Sequence, residues 1–468
     1  MARKRKFEIE QLRISEYAAE GKCIARHEQK VIFVEGVIPG DVADVWVHRN
    51  KKDWAEATVV RFREYSDIRV DAFCSHFNSC GGCKWQHLPY ELQLQYKEKQ
   101  VRDQLERIGK AQVQEWLPIQ GASRERFYRN KLEFTFSNKQ YLSREQLNTG
   151  MSFDQNVLGF HAPRLFDKVI DISACHLQEN PSNAIRNFVR EYALAHQLSF
   201  YDIRQHQGFL RNLIIRNSTL NQVMVNLVVH EKEETLLFPL LDALHTRFPE
   251  ITSLQYTVNP KLNDTLYDLE VICYAGTPTI DEQLGPYTFR ISPKSFFQTN
   301  SYQAKVLYDI VKEMAGCQGH ETLYDLYCGT GSIGIYLSAS IGKLIGVDSV
   351  DDAIQDAREN VTLNGLQHAH FYSGDVIKIC NDSFFNEHGK PDVVIIDPPR
   401  AGCHDHLLNK LLEIAAPRIV YVSCNPATQA RDLQLLGTKY TISKSRAVDM
   451  FPHTHHVENV IQLNRKEA

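Results

Sequence analysis

Hydrophobic and polar positions change rhythm along the chain. Between about residues 7 and 63, apolar residues come in short runs broken by turns. Lys30-Val31-Ile32-Phe33-Val34 and Asp44-Val45-Trp46-Val47-His48, for example, flank Pro39-Gly40-Asp41. Short strands at this spacing predict a small OB-like β-barrel. The period then lengthens: Leu92, Tyr96, Val101 and Leu105 recur at helical spacing, predicting a helix over about 89–108 with Gly109 as its C-cap. From about 118 to 290, strand-like stretches (213–216, 222–229) mix with helices such as 183–195, an α+β pattern without repeats. After about 320 the pattern becomes regular. Strand-like runs at 322–327, 343–347, 392–396 and 418–422 alternate with helical stretches such as 353–363 and 406–415. That alternation predicts βαβ units and a parallel sheet covered by helices on both faces. Ligands of such sheets bind at the carboxyl ends of the strands, so the chemistry belongs in the loops that follow them.

A chain of 468 residues exceeds one ordinary core, and about 100–200 residues per domain predicts two to four domains. With 43% hydrophobic and 24% charged residues, the balance is that of a soluble globular protein. The apolar runs are strand-sized, too short for a membrane span. The basic start Met1-Ala2-Arg3-Lys4-Arg5-Lys6 lacks the apolar stretch of a secretory signal. Eleven cysteines without such a signal predict a reducing, cytoplasmic compartment, where clustered Cys means metal or catalysis rather than disulfides. A net charge of −4 excludes a protein that is basic all over. It leaves room for a local basic patch, as in Arg3–Lys6 or Arg124-Glu125-Arg126-Phe127-Tyr128-Arg129-Asn130-Lys131, although a charge run is more commonly a solvated face.

Four loops and one cysteine cluster carry candidate chemistry. Asp325-Leu326-Tyr327-Cys328-Gly329-Thr330-Gly331-Ser332-Ile333-Gly334 contains G-x-G-x-x-G between a strand and a helix, and the next strand ends in Gly346-Val347-Asp348, whose carboxylate suits ribose hydroxyls. Taken alone, this fits a dinucleotide, S-adenosyl-L-methionine (SAM) or a tight turn without ligand. Asp397-Pro398-Pro399-Arg400 makes a stiff polar loop at the sheet edge, of a kind common in methyltransferases acting on planar nucleobases. Ser423-Cys424-Asn425-Pro426 brings a thiol to the same cleft, and Cys424 is the candidate nucleophile. A reactive thiol must ionise, which predicts a polar, partly electropositive cleft around it. His453, His455 and His456 lack a second ligand set of suitable spacing, which weighs against zinc, and Glu458 opens a final strand as a candidate base. Cys74-x5-Cys80-x2-Cys83, with Cys175 downstream, can enclose an iron–sulfur cluster or zinc. Its first gap is too long for a radical-SAM triad.

These motifs, with Phe297-Gln298-Thr299-Asn300 and Tyr128-Arg129-Asn130-Lys131, occur in family order along essentially the whole chain. The sequence resembles the RNA uracil-C5 methyltransferases (RumA/TrmA-like), more closely the 23S ribosomal RNA branch. The resemblance implies an N-terminal TRAM domain, an OB-like RNA-binding barrel, over 1–66. It implies a central α+β RNA-binding domain over 67–290 with a [4Fe–4S] cluster on Cys74, Cys80, Cys83 and Cys175, its helix at about 88–115 packed on the catalytic domain. A Rossmann-like α/β SAM-dependent methyltransferase domain is expected over 291–468. By motif position, Cys424 is the nucleophile, Glu458 the proton acceptor, and Gln298, Tyr327, Ser332, Asp348, Asp375 and Asp397 the SAM contacts. The implied reaction gives 5-methyluridine through a covalent Cys–C6 adduct on a flipped-out uridine of 23S rRNA, by a monomer with no membrane partner. Alternatives are the same chemistry on tRNA, an amino-group nucleobase methyltransferase in which Cys424 would be idle, and an RNA-binding protein with a vestigial catalytic domain.

Overall fold

The computed structural model describes residues 7–467, so the basic run Arg3–Lys6 lies outside the described residues. Strands β1 (Phe7–Arg13), β2 (Glu16–Tyr17), β3 (Cys23–His27), β4 (Lys30–Glu35), β5 (Val42–Asn50) and β6 (Trp54–Glu64) form one sheet in the order β1-β5-β6-β4-β3-β2. The expected barrel is not closed: β1 and β2 remain the two edges among the described residues. Closure needs the edge strands to exchange a ladder, and two-residue β2 bonds only to β3. Trp85 and Leu88 pack instead into the apolar core of this sheet.

Helix α1 (Tyr90–Arg107) follows the cysteine-rich segment, then β7 (Val113–Gln120). Gly109 is not the left-handed C-cap expected; Ile108 caps the helix in right-handed geometry. Gly109 is a close-approach residue, since a Cβ there would lie 2.7 Å from the Leu105 carbonyl oxygen and 2.9 Å from that of Ala430.

The central sheet runs β10-β9-β8-β11-β12-β13-β14. It is assembled from β8 (Lys131–Ser137), α2 (Arg144–Asn148), β9 (Val157–His161), β10 (Val169–Asp171), α3 (Ser182–Ala195), β11 (Leu210–Asn217), β12 (Val223–Val229), α4 (Glu234–Arg247), β13 (Ile251–Val258) and β14 (Val271–Gly276). Ile185 and Val189 of α3, with Leu237 and Leu241 of α4, share its core. A hairpin, β15 (Ile280–Leu284) and β16 (Tyr287–Ile291), leads into the last unit.

That unit contains α5 (Ser301–Ala315), β17 (Thr322–Leu326), α6 (Ser332–Leu337), β18 (Lys343–Asp348), α7 (Asp351–Leu363), β19 (Ala369–Ser373), α8 (Val376–Ile379), α9 (Asp382–His388), β20 (Val393–Ile396), α10 (Asp405–Ile414), β21 (Arg418–Ser423), α11 (Pro426–Leu436), β22 (Tyr440–Val448) and β23 (Glu458–Arg465). The sheet order is β19-β18-β17-β20-β21-β23-β22-β7. The first five strands are parallel as expected, whereas β23 is antiparallel to both of its neighbours. Strand β7 adds to the far edge, parallel to β22, and Val101 and Leu105 of α1 pack with Ala430 and Leu433 of α11. Thus α1 and β7 are physically part of the C-terminal sheet although remote from it in sequence. Strand order reverses at β17, flanked by β18 and β20, and a crevice opens at that switch point. No described helix is long and apolar enough to cross a membrane.

Candidate active site

A cavity of about 920 Å³ lies at the carboxyl ends of β20 and β21, bounded on its other side by the central sheet and the cysteine-rich segment. Gln298, Asp397, Cys424, Glu458, Cys74, Cys80, Cys83 and Cys175 all line it. Asp397 and Cys424 arrive because each directly follows a parallel strand. Glu458 arrives because β23 runs the opposite way, so its first residue meets the last residues of β21. Ser423 pairs with Asn459 in the ladder, setting Cys424 and Glu458 one step beyond.

Burial dominates the electrostatics. Asp397 is pushed up to about 7, and Glu458, only 7% exposed, is pushed up to about 8 by burial and then by Asp397, against the pull of Arg400. Cys424 rises to about 11 through burial and the carboxyls of Glu458 and Asp397; Arg400 is the cation that opposes this. The thiol therefore has mixed surroundings, the electropositive share of them coming from Arg400. Its immediate neighbours are two acids and one arginine. Arg400, read from the sequence only as part of a stiff loop, is the missed residue here. Its carbonyl accepts hydrogen bonds from Asn425 Nδ2 (3.0 Å) and Thr428 Oγ1 (3.2 Å), which lock the Asp397 loop to the start of α11.

The segment before Glu458 is fastened to α1. Lys97 Nζ donates to Asp449 Oδ1 at 2.6 Å, both side chains being 0% exposed, and the Tyr90 hydroxyl donates to Asp449 Oδ2 at 2.9 Å. The His453 N–H donates to Gln93 Oε1 (2.8 Å), while the His453 carbonyl accepts from the N–H groups of Lys84 (2.8 Å) and Trp85 (3.0 Å). Burial pushes His453, His455 and His456 down to about 4, so they are neutral near pH 7.

The remaining expected SAM contacts stand at the ends of β17, β18 and β19, outside that cavity wall. Tyr327, Gly329 and Gly331 all adopt left-handed backbone conformations, and a Cβ on Gly331 would strike the Phe371 ring at 2.7 Å. Asp348 braces this loop: Oδ2 accepts from Gly329 N–H and Oδ1 from Val350 N–H, each at 2.9 Å. Ser332 Oγ bonds the Tyr308 hydroxyl at 2.8 Å, and exposed Asp375 caps α8 by accepting from Ile377 N–H at 2.9 Å. Asp325 links the two halves. Burial, with Asp397 and Asp348 nearby, raises it to about 7, and its Oδ1 has no hydrogen-bond partner. Acidic groups crowded around a glycine-rich crevice suit a ligand that carries a positive charge and ribose hydroxyls.

Burial also raises Cys80, raises Cys83 to about 12 and raises Cys175 to about 11, with nearby thiols adding to the effect, and none of the four cysteines is in a disulfide. Among the described residues, no three or more His, Cys, Asp or Glu side chains stand in metal-holding geometry. The expected quartet is thus near one cavity but not drawn into a ligand set.

A sequence profile described as tRNA (Uracil-5-)-methyltransferase matches residues 279–466. An uncharacterized RNA methyltransferase of Bacteroides thetaiotaomicron is 50% identical over 450 residues, covering 95% of this chain and 99% of its own. Another, from Porphyromonas gingivalis, is 47% identical over 462 residues, covering 97% and 99%. Among solved structures, the Pyrococcus abyssi tRNA (uracil-54, C5)-methyltransferase in complex with S-adenosyl-L-homocysteine superposes with a TM-score of 0.73 at 30% identity, over 97% of this chain and 99% of that one.

Proposed function

The chain belongs to the RNA (uracil-5-)-methyltransferase family, and from that premise we propose that it makes 5-methyluridine at a defined uridine of 23S ribosomal RNA through a covalent adduct on Cys424. It is a SAM-dependent RNA uracil-5 methyltransferase. The observation that carries the mechanistic reading is the meeting of Cys424, Glu458 and Asp397 in one cavity.

C5 of uracil is too weakly nucleophilic to take a methyl group unaided. The Cys424 thiolate adds to C6, and electron density moves to C5, which forms the new C–C bond as S-adenosyl-L-homocysteine departs. The Glu458 carboxylate removes the C5 proton, C5=C6 re-forms and the Sγ–C6 bond breaks, returning the thiolate. Burial holds Asp397 and Glu458 toward their protonated forms, and ionised carboxylates are favoured beside the sulfonium charge of the donor. Arg400 opposes the two acids and favours the thiolate. Gln298, Tyr327, Ser332, Asp348, Asp375 and Asp397 would hold SAM, which supplies the electrophilic methyl group. The target base must leave its stack to reach Cys424, and exposed Phe296 on the cavity lip offers a face for an unstacked base.

Cys74, Cys80, Cys83 and Cys175 would hold a [4Fe–4S] cluster. The all-thiol donor set and shared cavity support this reading, and its role would be to brace the cysteine-rich segment; no step of the reaction runs through it. The same reading takes the protein to act as a cytoplasmic monomer.

Transfer RNA is the second reading, favoured by the substrate of the Pyrococcus abyssi relative. Amino-group methylation would leave Cys424 and Glu458 without a task. Incubating the protein with SAM and unmodified 23S rRNA or tRNA, then mapping modified nucleosides by mass spectrometry, tests the proposal. 5-Methyluridine at one 23S position supports it, 5-methyluridine in tRNA alone transfers the activity to the second substrate, and a methylated purine overturns the chemistry.

A further inference from the structure

Across the cavity from Cys424 the wall changes sign. Lys131 opens β8, Arg216 lies near the end of β11, and the two are direct partners in the antiparallel ladder. Arg129 stands just before them, Nε donating to the Lys131 carbonyl at 3.0 Å, its guanidinium 5.8 Å from the Phe451 ring centre. Lys294, in the loop after β16, donates to the Tyr267 carbonyl at 3.1 Å. All four line the cavity, and none of them forms an ion pair among the described residues.

This arrangement is costly. Like charges directly opposite on a ladder destabilise it, and a buried cation without a counter-charge costs more still. Arg216 is 3% exposed; Nη2 donates to the Ser295 carbonyl at 3.2 Å, while Nη1 has no partner. Glu282 is the acid that acts on Arg216, but its oxygens already accept from Thr219 and Ser301. Glu133, near Lys131, is held toward its neutral form by burial. A wall on which four cations face only Glu282 and a largely neutral Glu133 is relieved by a bound anion.

We propose that Arg129, Lys131, Arg216 and Lys294 form a phosphate subsite that grips the RNA backbone beside the target uridine while its base turns toward Cys424. Guanidinium forks and ammonium groups are the usual donors to phosphate oxygens, and such contacts fix register without reading sequence. Two other anions compete. The carboxylate of the methyl donor would neutralise a single charge of the four, and Tyr327, Ser332, Asp348 and Asp375 lie away from this wall; the cysteine quartet stands nearest Arg129, whose charge acts on Cys175, so the test leaves Arg129 unchanged. The inference rests on RNA being the substrate.

The test compares wild type with Lys131→Gln, Arg216→Gln, Arg216→Lys and Lys294→Gln. RNA affinity is read across a salt series, S-adenosyl-L-homocysteine affinity by titration, and folding by thermal melt. Each Gln variant should weaken RNA binding about tenfold and lower the slope of log K against log salt by about 1, with S-adenosyl-L-homocysteine affinity unchanged. Arg216→Lys should restore most of the slope. Weaker binding at an unchanged slope would mean a structural role only and would overturn the proposal. So would a loss of S-adenosyl-L-homocysteine affinity with RNA binding intact, which would hand the wall to the methyl donor. If Arg216→Gln fails to fold, Lys294→Gln, on a half-exposed loop, carries the test. The functional reading fails separately, if wild type yields 5-methyluridine in neither RNA; the salt slopes remain readable in that case.

Discussion

Two walls face each other across the cavity and are built in different ways. On the catalytic wall, Asp397, Cys424 and Glu458 sit at the ends of three adjacent strands of the C-terminal sheet, each beside a short local motif. On the opposite wall, Lys131 and Arg216 meet only because β8 and β11 pair in one particular register. The first wall gathers acids and a thiol whose proton affinities rise together; the second gathers cations that form no ion pair among the described residues. One wall suits proton and bond chemistry, the other holding an anion. Sequence motifs announce the first kind of site, and only strand register discloses the second.

The largest effect that would sharpen this contrast is loss of the thiol. Cys424→Ala should cut 5-methyluridine formation by ~10⁴-fold or more, with RNA binding retained, as product mapping and a binding titration would reveal. Glu458→Gln should slow turnover by ~10²–10⁴-fold and let the covalent RNA–protein adduct accumulate on a denaturing gel, because the adduct forms but its C5 proton stays. Rapid turnover by this variant would take the base away from the catalytic wall.

The pH profile is the next test. Glu458 must be ionised to act as base and in the free protein binds its proton up to about pH 8, while Cys424 ionises only toward pH 11. Hence kcat/KM should climb steeply with pH to about 8 and more gently beyond, with no acid optimum; Glu458→Gln should remove the steeper part. A profile falling between pH 6 and 8 would contradict the assignment of the base.

Two smaller effects concern how the catalytic wall is held. Lys97→Met leaves Asp449 buried without its partner and should cost about 3–5 kcal/mol in a thermal or denaturant melt. Gly109→Ala should cost about 1–3 kcal/mol, because its Cβ would collide with backbone at 2.7 and 2.9 Å where α1 meets α11. A silent Lys97→Met would mean that the segment before Glu458 is fixed by its other contacts alone.

Much of the C-terminal sheet was legible because period and punctuation are local: β17, β18, β20 and β21 are short apolar runs followed by polar or glycine-rich loops, whereas β19, interrupted by His370, was not read. The antiparallel entry of β23 was not legible, since strand direction depends on a partner and not on the run itself. Neither was the attachment of β7, which joins an edge from a distant part of the chain. Of the N-terminal strands, β4 and β5 were readable as apolar runs, but closure was not, because it turns on whether two-residue β2 can reach β1. At the site, Cys424 and Glu458 could be named from their motifs. Their electrostatic setting could not, because burial and the Arg400 side chain act through space. The Lys97–Asp449 pair and the Lys131–Arg216 pair left no local signal, as each joins residues far apart in the chain.

The most direct measurement uses an RNA substrate carrying 5-fluorouridine in place of uridine. Fluorine cannot leave C5 as a proton does, so a reaction through Cys424 should stop at the methylated adduct. Digestion and mass spectrometry should then find the modified nucleotide joined through C6 to the peptide containing Cys424, with no such species from Cys424→Ala. An adduct on another cysteine, or ordinary methylation of uridine RNA with no adduct from the fluorinated one, would contradict the account.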